Sequence, residues 1–330
     1  MSDLINKVAS EQILDQAFQW LCKRREKLSH NNDVWELRRN WQESKSKLQQ
    51  TLLQGEYTFN PQSELRLPDG NLECWCATDS LVLKAMAIVV GEVLAPHISS
   101  RCYHVAGNGG AKKAVGDVHK ILSAGDHIMK SDVKSYYASI DHMVIFDQLT
   151  EYISDRFVLR LLWQYLKRTV CYRGLYRDVT RGISLGCPLS PLMGALYLKP
   201  LDEAMERSGL FYARFMDDWI VIAPTRWKLR KAVKVVNEIL AELKVEQHPD
   251  KTFIGRVERG FDFLGYSFEP GLLRIAEKTL RNMKERIARL YEQGADAVGI
   301  GQYILKWVRW VDAGLKEYVV YMNPLFYFLI

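Results

Sequence analysis

The sequence predicts an α+β protein, and three observations point that way. Apolar residues recur at helical spacing through residues 8–55 and again after Asp79, whereas 128–133 and 211–223 are short, β-rich apolar runs that suit buried strands. The 330 residues make room for about two or three packing units of roughly 100–200 residues each. At 48% hydrophobic residues the composition is that of a folded chain, which excludes wholesale disorder.

Taken in order, Leu14, Phe18, Leu21 and Cys22 mark a first helix, and Trp35, Leu37, Trp41 and Leu48 extend the pattern beyond a break at Asn31-Asn32. Extended chain follows from Leu53 to Pro61, and 65–72 reads as two strands around an Asp69-Gly70 turn. Asp79 fits the N-cap of an apolar helix to about Leu94, with Pro96 just past its end. The run Ala85–Val90 is broken by Gly91 and Glu92, far short of the ~18 apolar residues that a membrane span needs. The first thirty residues mix acids and bases without the apolar core of a secretory leader.

Cys22, Cys74, Cys76, Cys102, Cys171 and Cys187 show no C-x-x-C spacing, so the expectation is reduced thiols in a cytoplasmic protein and no thiolate metal site. Asn108–Lys113 is a glycine-rich turn opening a helix. It suits either a phosphate approach helped by Lys112 and Lys113 or a plain junction, and its spacing is not that of a Walker loop.

Chemistry concentrates in three aspartates. The strand-like run from Ile128 to Val133 delivers Asp132 at its end, and the two β-rich halves of 211–223 flank Asp217-Asp218. Adjacent carboxylates at a hairpin tip repel and shift each other's pKa unless a cation neutralises them. A capping or turn duty explains one such residue, not two beside a third. Hard oxygen donors suit Mg²⁺, with Mn²⁺ as a substitute. A pair of such ions ~4 Å apart clamps both oxygens of an in-line phosphoryl displacement. The formal charge is +6, from 45 Lys+Arg against 39 Asp+Glu, and is unevenly spread: five bases and no acid lie between Arg226 and Lys234, and a second basic stretch runs from Arg274 to Arg289. Either alone is an ordinary solvated face; together, behind an acidic catalytic pattern, they favour a polyanion partner.

Asp132-Val-Lys-Ser-Tyr-Tyr, Gly182-Ile-Ser-Leu-Gly-Cys-Pro-Leu-Ser-Pro191 and Phe215-Met-Asp-Asp218 resemble, in order, the A, B and C motifs of reverse transcriptases. His248-Pro-Asp-Lys-Thr252 is similar to their D motif and Phe261–Phe268 to the primer-grip E motif, while Leu53–Leu67 is similar to the lead-in of the bacterial group II intron and non-LTR-like enzymes. The resemblance covers roughly residues 50 to 270.

The resemblance implies a right-hand polymerase fold with an antiparallel palm sheet: an N-terminal helical extension (1–60), fingers (61–125), palm (126–141), finger and palm helices (142–180), palm again (181–270) and a helical thumb (271–330). It implies RNA-directed DNA polymerase activity on an RNA template with a DNA or RNA primer and dNTPs. Two Mg²⁺ ions would be held by Asp132, Asp217 and Asp218, with Val133 among the metal contacts and Lys251 as general acid. Tyr137, with Tyr136 beside it, would sit at the incoming sugar, where a ring excludes a 2′-hydroxyl. Gly186, Pro188 and Ser190 would shape the turn under the new base pair, ahead of a helix from Leu192 to Leu201. Here Leu185 stands where many relatives carry Gln, and Cys187 where they carry Ser. Arg66 and Lys84 are the candidates for the triphosphate. Lys112, Lys113, Gly265, Tyr266, Lys278, Arg281 and Arg289 are those for template and primer. Solvated lysine for Lys251 and core tyrosine for Tyr137 are the plain alternatives, as thumb core is for Trp307 and Trp310. About sixty residues follow the E motif, from which a stand-alone enzyme with a dedicated non-coding RNA is expected, similar to the short retron, diversity-generating and phage-defence reverse transcriptases. A B motif without the serine-glutamine form of the diversity-generating enzymes favours antiviral defence, with a homo-oligomer or accessory protein open. The competing expectation is a structured-RNA-binding module with lost or template-relaxed polymerase activity.

Overall fold

The computed structural model describes residues 4–67 and 70–313, without the side chains of 66, 67, 70 and 71. Arg66 therefore lies outside the described side chains, and the stretch 314–330 of the expected thumb outside the described residues. The chain opens in α1 (Leu4–Val8), α2 (Glu11–Arg24), α3 (Val34–Arg39) and α4 (Trp41–Leu53). Ser10 caps α2 by accepting from the Ile13 N–H, and Leu14, Ala17 and Leu21 form its buried stripe. Phe18 stacks on Trp41 with ring centroids 4.1 Å apart, joining the two halves of the helical pattern.

Strands β1 (Gln62–Leu67) and β2 (Gly70–Cys74) form the expected hairpin. Helix α5 (Ala77–Leu94) begins two residues before Asp79. Cys76 is the N-cap, and the buried Asp79 carboxylate instead accepts from Tyr57 Oη at 2.6 Å and the Asn60 N–H at 2.9 Å. Next come α6 (Gly110–Ile121), β3 (His127–Ser131), α7 (Tyr136–Ser139), α8 (His142–Thr150) and α9 (Arg156–Leu166). Asp141 and Asp155 cap α8 and α9. After β4 (Thr169–Tyr172) and β5 (Leu175–Asp178) come α10 (Ser190–Tyr197) and α11 (Lys199–Arg207), where one helix from 192 to 201 was expected. The remaining elements are β6 (Phe211–Phe215), β7 (Asp218–Ala223), α12 (Arg226–Glu242), β8 (Phe253–Arg256), β9 (Phe261–Phe263), β10 (Tyr266–Glu269), β11 (Leu272–Ile275), α13 (Glu277–Glu292) and α14 (Ala297–Asp312).

The mixture of helices with largely antiparallel sheets is α+β. The chain divides into two compact units. One takes the chain up to Ile98, Lys134–Lys199 and Ala241–Val245; its sheet has the order β2-β1-β4-β5, with β1 and β4 parallel. The other takes Ser99–Val133, Pro200–Leu240 and the chain from Glu246; it holds the antiparallel sheet β6-β7-β3-β8 and the meander β11-β10-β9.

Register fixes what each face of the β6-β7-β3-β8 sheet carries, because side chains alternate and directly paired residues share a face. Phe215 pairs with Asp218, Ala213 with Ile220, and Lys130 with Ile220, so these side chains lie on one face. That face packs on Val115 and Val118 of α6 and on Phe261, Phe263 and Phe268 of the meander. Tyr212, Arg214, Trp219 and Val221 lie on the opposite face, where Tyr212 and Arg214 bond Asp202 of α11. All six cysteines are free, and no described helix is long and apolar enough to cross a membrane.

Candidate functional site

Asp132 directly follows β3, and Asp217-Asp218 occupy the β6–β7 turn, in the same unit and beside neighbouring strands. The turn is tight: Phe215 pairs with Asp218, so Met216 and Asp217 alone make the link, with Met216 at φ +59°. A left-handed methionine costs about 1 kcal/mol, and such strain persists only where the surroundings hold it. Here both peptide groups of Met216 are held. Its N–H donates to His104 Nδ1 at 3.0 Å, and its carbonyl accepts from Arg214 Nη1 at 2.9 Å. Arg214 is itself fully buried, bonding Asp202 through Nε at 2.6 Å and through Nη2, while Tyr212 Oη donates to the same carboxylate at 2.8 Å. Burial works against the Arg214 charge, but the Asp202 carboxylate outweighs it and raises the guanidinium's pKa.

Asp132 is 3% exposed. Its carbonyl accepts from the His248 N–H at 2.9 Å, and Thr252 Oγ1 lies 2.6 Å from Ser131 Oγ while donating to the His248 carbonyl at 2.8 Å. These bonds fix the Pro249–Lys251 turn against the end of β3, and Lys251 Nζ donates to Asp132 Oδ2. That bond raises the Lys251 pKa, with Asp218 and Asp217 adding to it. Burial, then Asp217 and Asp132, push the Asp218 carboxyl up to about 6, and burial with Asp132 raises Asp217. The three carboxylates thus feel one another's charge.

The donors fit a divalent cation. Asp132 Oδ1 is buried with no hydrogen-bond partner among the described residues, and the elevated Asp217 and Asp218 values reflect burial first and then a carboxylate repulsion, both of which a cation relieves. Among the described residues no three His, Cys, Asp or Glu side chains form a ready cage. A hard ion of the Mg²⁺ kind needs none, since it completes its shell with water and substrate phosphate oxygens. Val133 has a buried apolar side chain and a backbone bridged to Gln247, so only its main chain could offer an oxygen.

The other unit holds the expected substrate residues, which the structure sorts by exposure. Leu185 and Gly186 form the exposed tip of the 182–188 loop, with Gly186 at φ +80° and Pro188 half-buried. Gly182 anchors the loop: its carbonyl accepts from Arg168 Nη1 at 2.9 Å and lies 2.8 Å from His142 Nε2, and a Cβ on it would meet the backbone of Tyr137 and Ala138 at 2.9 Å. Tyr137 is half-buried beside Gly194, where a Cβ would lie 3.1 Å from its ring. Tyr136 is 5% exposed and donates to the Gly194 carbonyl at 2.5 Å, and Ser190 is buried between Tyr165 Oη and the Ser184 carbonyl. Lys84 is half-buried over the Trp20 ring at 5.5 Å, and burial lowers its pKa.

The residues expected at template and primer differ in exposure. Tyr266 is 1% exposed, because its place in β10 turns the ring into the core. Lys112 hydrogen-bonds the Tyr266 hydroxyl and sits 3.8 Å from the centre of the Trp310 ring, with burial lowering its pKa to about 8. Gly265, at φ +87°, makes the β9–β10 turn. Lys113, Lys278, Arg281 and Arg289 are exposed, Arg289 beside Glu285 at 3.8 Å. Sequence reasoning missed Asp202, His104 and Arg168. Arg214, a lone base alternating with Tyr212 in an apolar strand, was the one legible signal of the brace.

The reverse transcriptase (RNA-dependent DNA polymerase) family pattern matches residues 80–268. Protein YkfC of Escherichia coli is 22% identical over 264 residues, which cover 66% of this chain and 69% of that protein. The group II intron-encoded protein LtrA of Lactococcus lactis subsp. cremoris is 21% identical over 170 residues, 52% of this chain and 28% of LtrA. The family match takes in more than half of the chain, including all three aspartates and Lys251, and the chain belongs to the reverse transcriptases, the RNA-directed DNA polymerases.

Proposed function

We propose that the protein extends the 3′-hydroxyl of a DNA or RNA primer with dNTPs on an RNA template, using two Mg²⁺ ions that Mn²⁺ can replace. The observation that carries this reading is the meeting of Asp132, Asp217 and Asp218 beside Lys251 at one end of the β6-β7-β3-β8 sheet. Asp132 and Asp217, with the Val133 main chain, would hold the ions, and Asp218 would shape the turn and its field. When bound, the ions supply charge neutralisation at the attacking and leaving oxygens. The primer 3′-hydroxyl gives its proton to solvent water, and its oxygen bonds to the α-phosphorus as the bond to pyrophosphate breaks. Lys251 passes a proton to the departing pyrophosphate, and the braced turn keeps the carboxylates from reorganising during the reaction.

Tyr137 excludes the 2′-hydroxyl, and Gly186 and Pro188 face the new base pair. Lys113, Lys278, Arg281 and Arg289 bind backbone phosphates without reading sequence. The units correspond on this reading to the parts of a right-hand polymerase. A dedicated non-coding RNA and use in antiviral defence extend the same reading, and sequencing the nucleic acid that copurifies with the protein tests both. Primer extension on an RNA template with Mg²⁺ tests the chemistry. Wild type gives product and an Asp217→Ala, Asp218→Ala variant gives none; equal RNA binding with no synthesis from either makes the protein a binding module instead.

A further inference from the structure

The face of the sheet opposite Asp218 carries a surface that the polymerase chemistry does not use. Helix α12 presents Arg226, Lys228, Arg230, Lys231 and Lys234 before its first acid, Glu238. Lys234 pairs with Glu238 at 3.7 Å, while the other four have no ion pair among the described residues. Arg226 and Lys228 stand in a first turn that has no acid, where the helix dipole already favours negative charge. The protein thus concentrates cations without internal compensation. Amid them Trp227 is 77% exposed, with the Arg230 guanidinium 5.6 Å from its ring centre. Beside it, between α11 and α12, opens a cavity of about 450 Å³ with Met205, Leu210 and Val235 in its apolar lining and Arg207, Lys228 and Lys231 as its cations. That volume is within the range of small-molecule sites and has room for a planar aromatic group.

We propose that this surface is a second nucleic-acid site, which takes a single strand of RNA: phosphates on Arg226, Lys228, Arg230 and Lys231, one base stacked on Trp227 and a neighbouring base in the α11–α12 cavity. An exposed indole among phosphate-binding cations is the equipment for unpaired bases, because in a duplex the base faces are already stacked. The site is separate from the catalytic carboxylates. Asp202 ties α11 to the Tyr212 and Arg214 face, whereas Asp218 pairs with Phe215 on the other. RNA held here stays bound while the catalytic groups act. The choice of RNA over other polyanions rests on the polymerase reading; the surface itself does not.

The test uses the whole protein, preincubated with an unlabelled RNA–DNA hybrid, and follows the fluorescence anisotropy of a labelled, unstructured RNA of about 16 nucleotides, the upper end of common single-strand site sizes. A Lys228→Gln, Arg230→Gln, Lys231→Gln variant should bind it at least ~10-fold more weakly, with a salt slope smaller by about 2, as three lost phosphate contacts require for a single strand. Trp227→Ala should weaken binding about fivefold or more, the low end of one lost base stack. Extension of a short preformed primer–template should match wild type in both. Unchanged RNA affinity and salt slope in both variants overturns the proposal, as does retained RNA affinity with loss of binding to an acidic polypeptide, which makes the surface a protein site. Should the triple variant fail to fold, Trp227→Ala decides alone. Absence of extension by wild type sinks the polymerase reading and leaves this site to the anisotropy result.

Discussion

Two cation–carboxylate pairs in one unit, Arg214–Asp202 and Lys251–Asp132, look alike as contacts and differ in everything around them. Both members of the first are 0% exposed, and the guanidinium engages the carboxylate through two nitrogens while a third bonds the Met216 carbonyl. In the second the lysine is 49% exposed, and only one side-chain oxygen of Asp132 is engaged among the described residues. A planar guanidinium fork suits a fixed, dry geometry; an ammonium on a flexible stem, reachable by water, can be displaced. The first pair is therefore architecture that holds the strained turn, and the second keeps Asp132 ready to exchange a lysine for another cation.

Removing one member of the buried pair gives the largest expected effect. Asp202→Ala strands a buried guanidinium and should cost about 3–5 kcal/mol, read as a lower urea midpoint. Replacing both members with apolar residues, Asp202→Leu with Arg214→Met, should recover much of that stability, since a buried ion pair gains little over good packing. Primer extension should stay low in the double variant, because the Met216 carbonyl has lost its donor. Full activity there would break the contrast by reducing the brace to packing.

That brace was the part of the site least legible in the sequence, and the reason is physical. Asp132 and Asp217-Asp218 announce themselves because charge at the ends of apolar strands is costly without a purpose. Asp202 sits between Leu201 and Glu203 like any helical acid, and only the tertiary packing that brings α11 onto β6 reveals its partner. Periodicity also says which residues can share a face without saying which face is wet. That the Tyr266 ring lies in the core and Lys84 over Trp20 is accordingly visible only in the packing. The α5 start slipped for a related reason: Asp79 is a good capping residue, but Tyr57 and Asn60 had already claimed its carboxylate.

A middle-sized effect comes from Asp218, which burial first and the neighbouring carboxylates second make costly to ionise. Asp218 has a folded pKa of about 6 against an ordinary 3.8, so the folded state holds its proton more tightly than the unfolded state. That contribution to stability is complete below the unfolded value and is lost as pH rises through the folded one. Asp218→Asn stays neutral throughout, so at pH 7 it should be more stable than wild type by about 1–2 kcal/mol, with the gap closing toward pH 4. Mg²⁺ should raise the thermal midpoint of wild type more than that of the variant, because a cation discharges in wild type what the amide has already removed. A variant no more stable than wild type at pH 7 would deny that burial and the neighbouring carboxylates hold the Asp218 pKa up.

The smallest stability effect should come from Lys251→Met, although its activity should fall severely. An ion pair half open to water is screened and contributes about 0–1 kcal/mol, so the urea midpoint should scarcely move. The Lys251 pKa is raised above 10.5, which makes the pair's contribution complete below that value and lost only as pH climbs through the raised one. The stability difference between variant and wild type should therefore be flat across neutral pH, unlike that of Asp218→Asn. Loss of the proton donor should lower kcat by about 10²-fold or more. The KM for dNTP should change far less, since the lysine acts on the departing pyrophosphate and not on the bound nucleotide as a whole. A stability loss rivalling that of Asp202→Ala would place Lys251 with the architecture and dissolve the distinction; a rise in KM with kcat unchanged would make it a phosphate anchor instead of an acid.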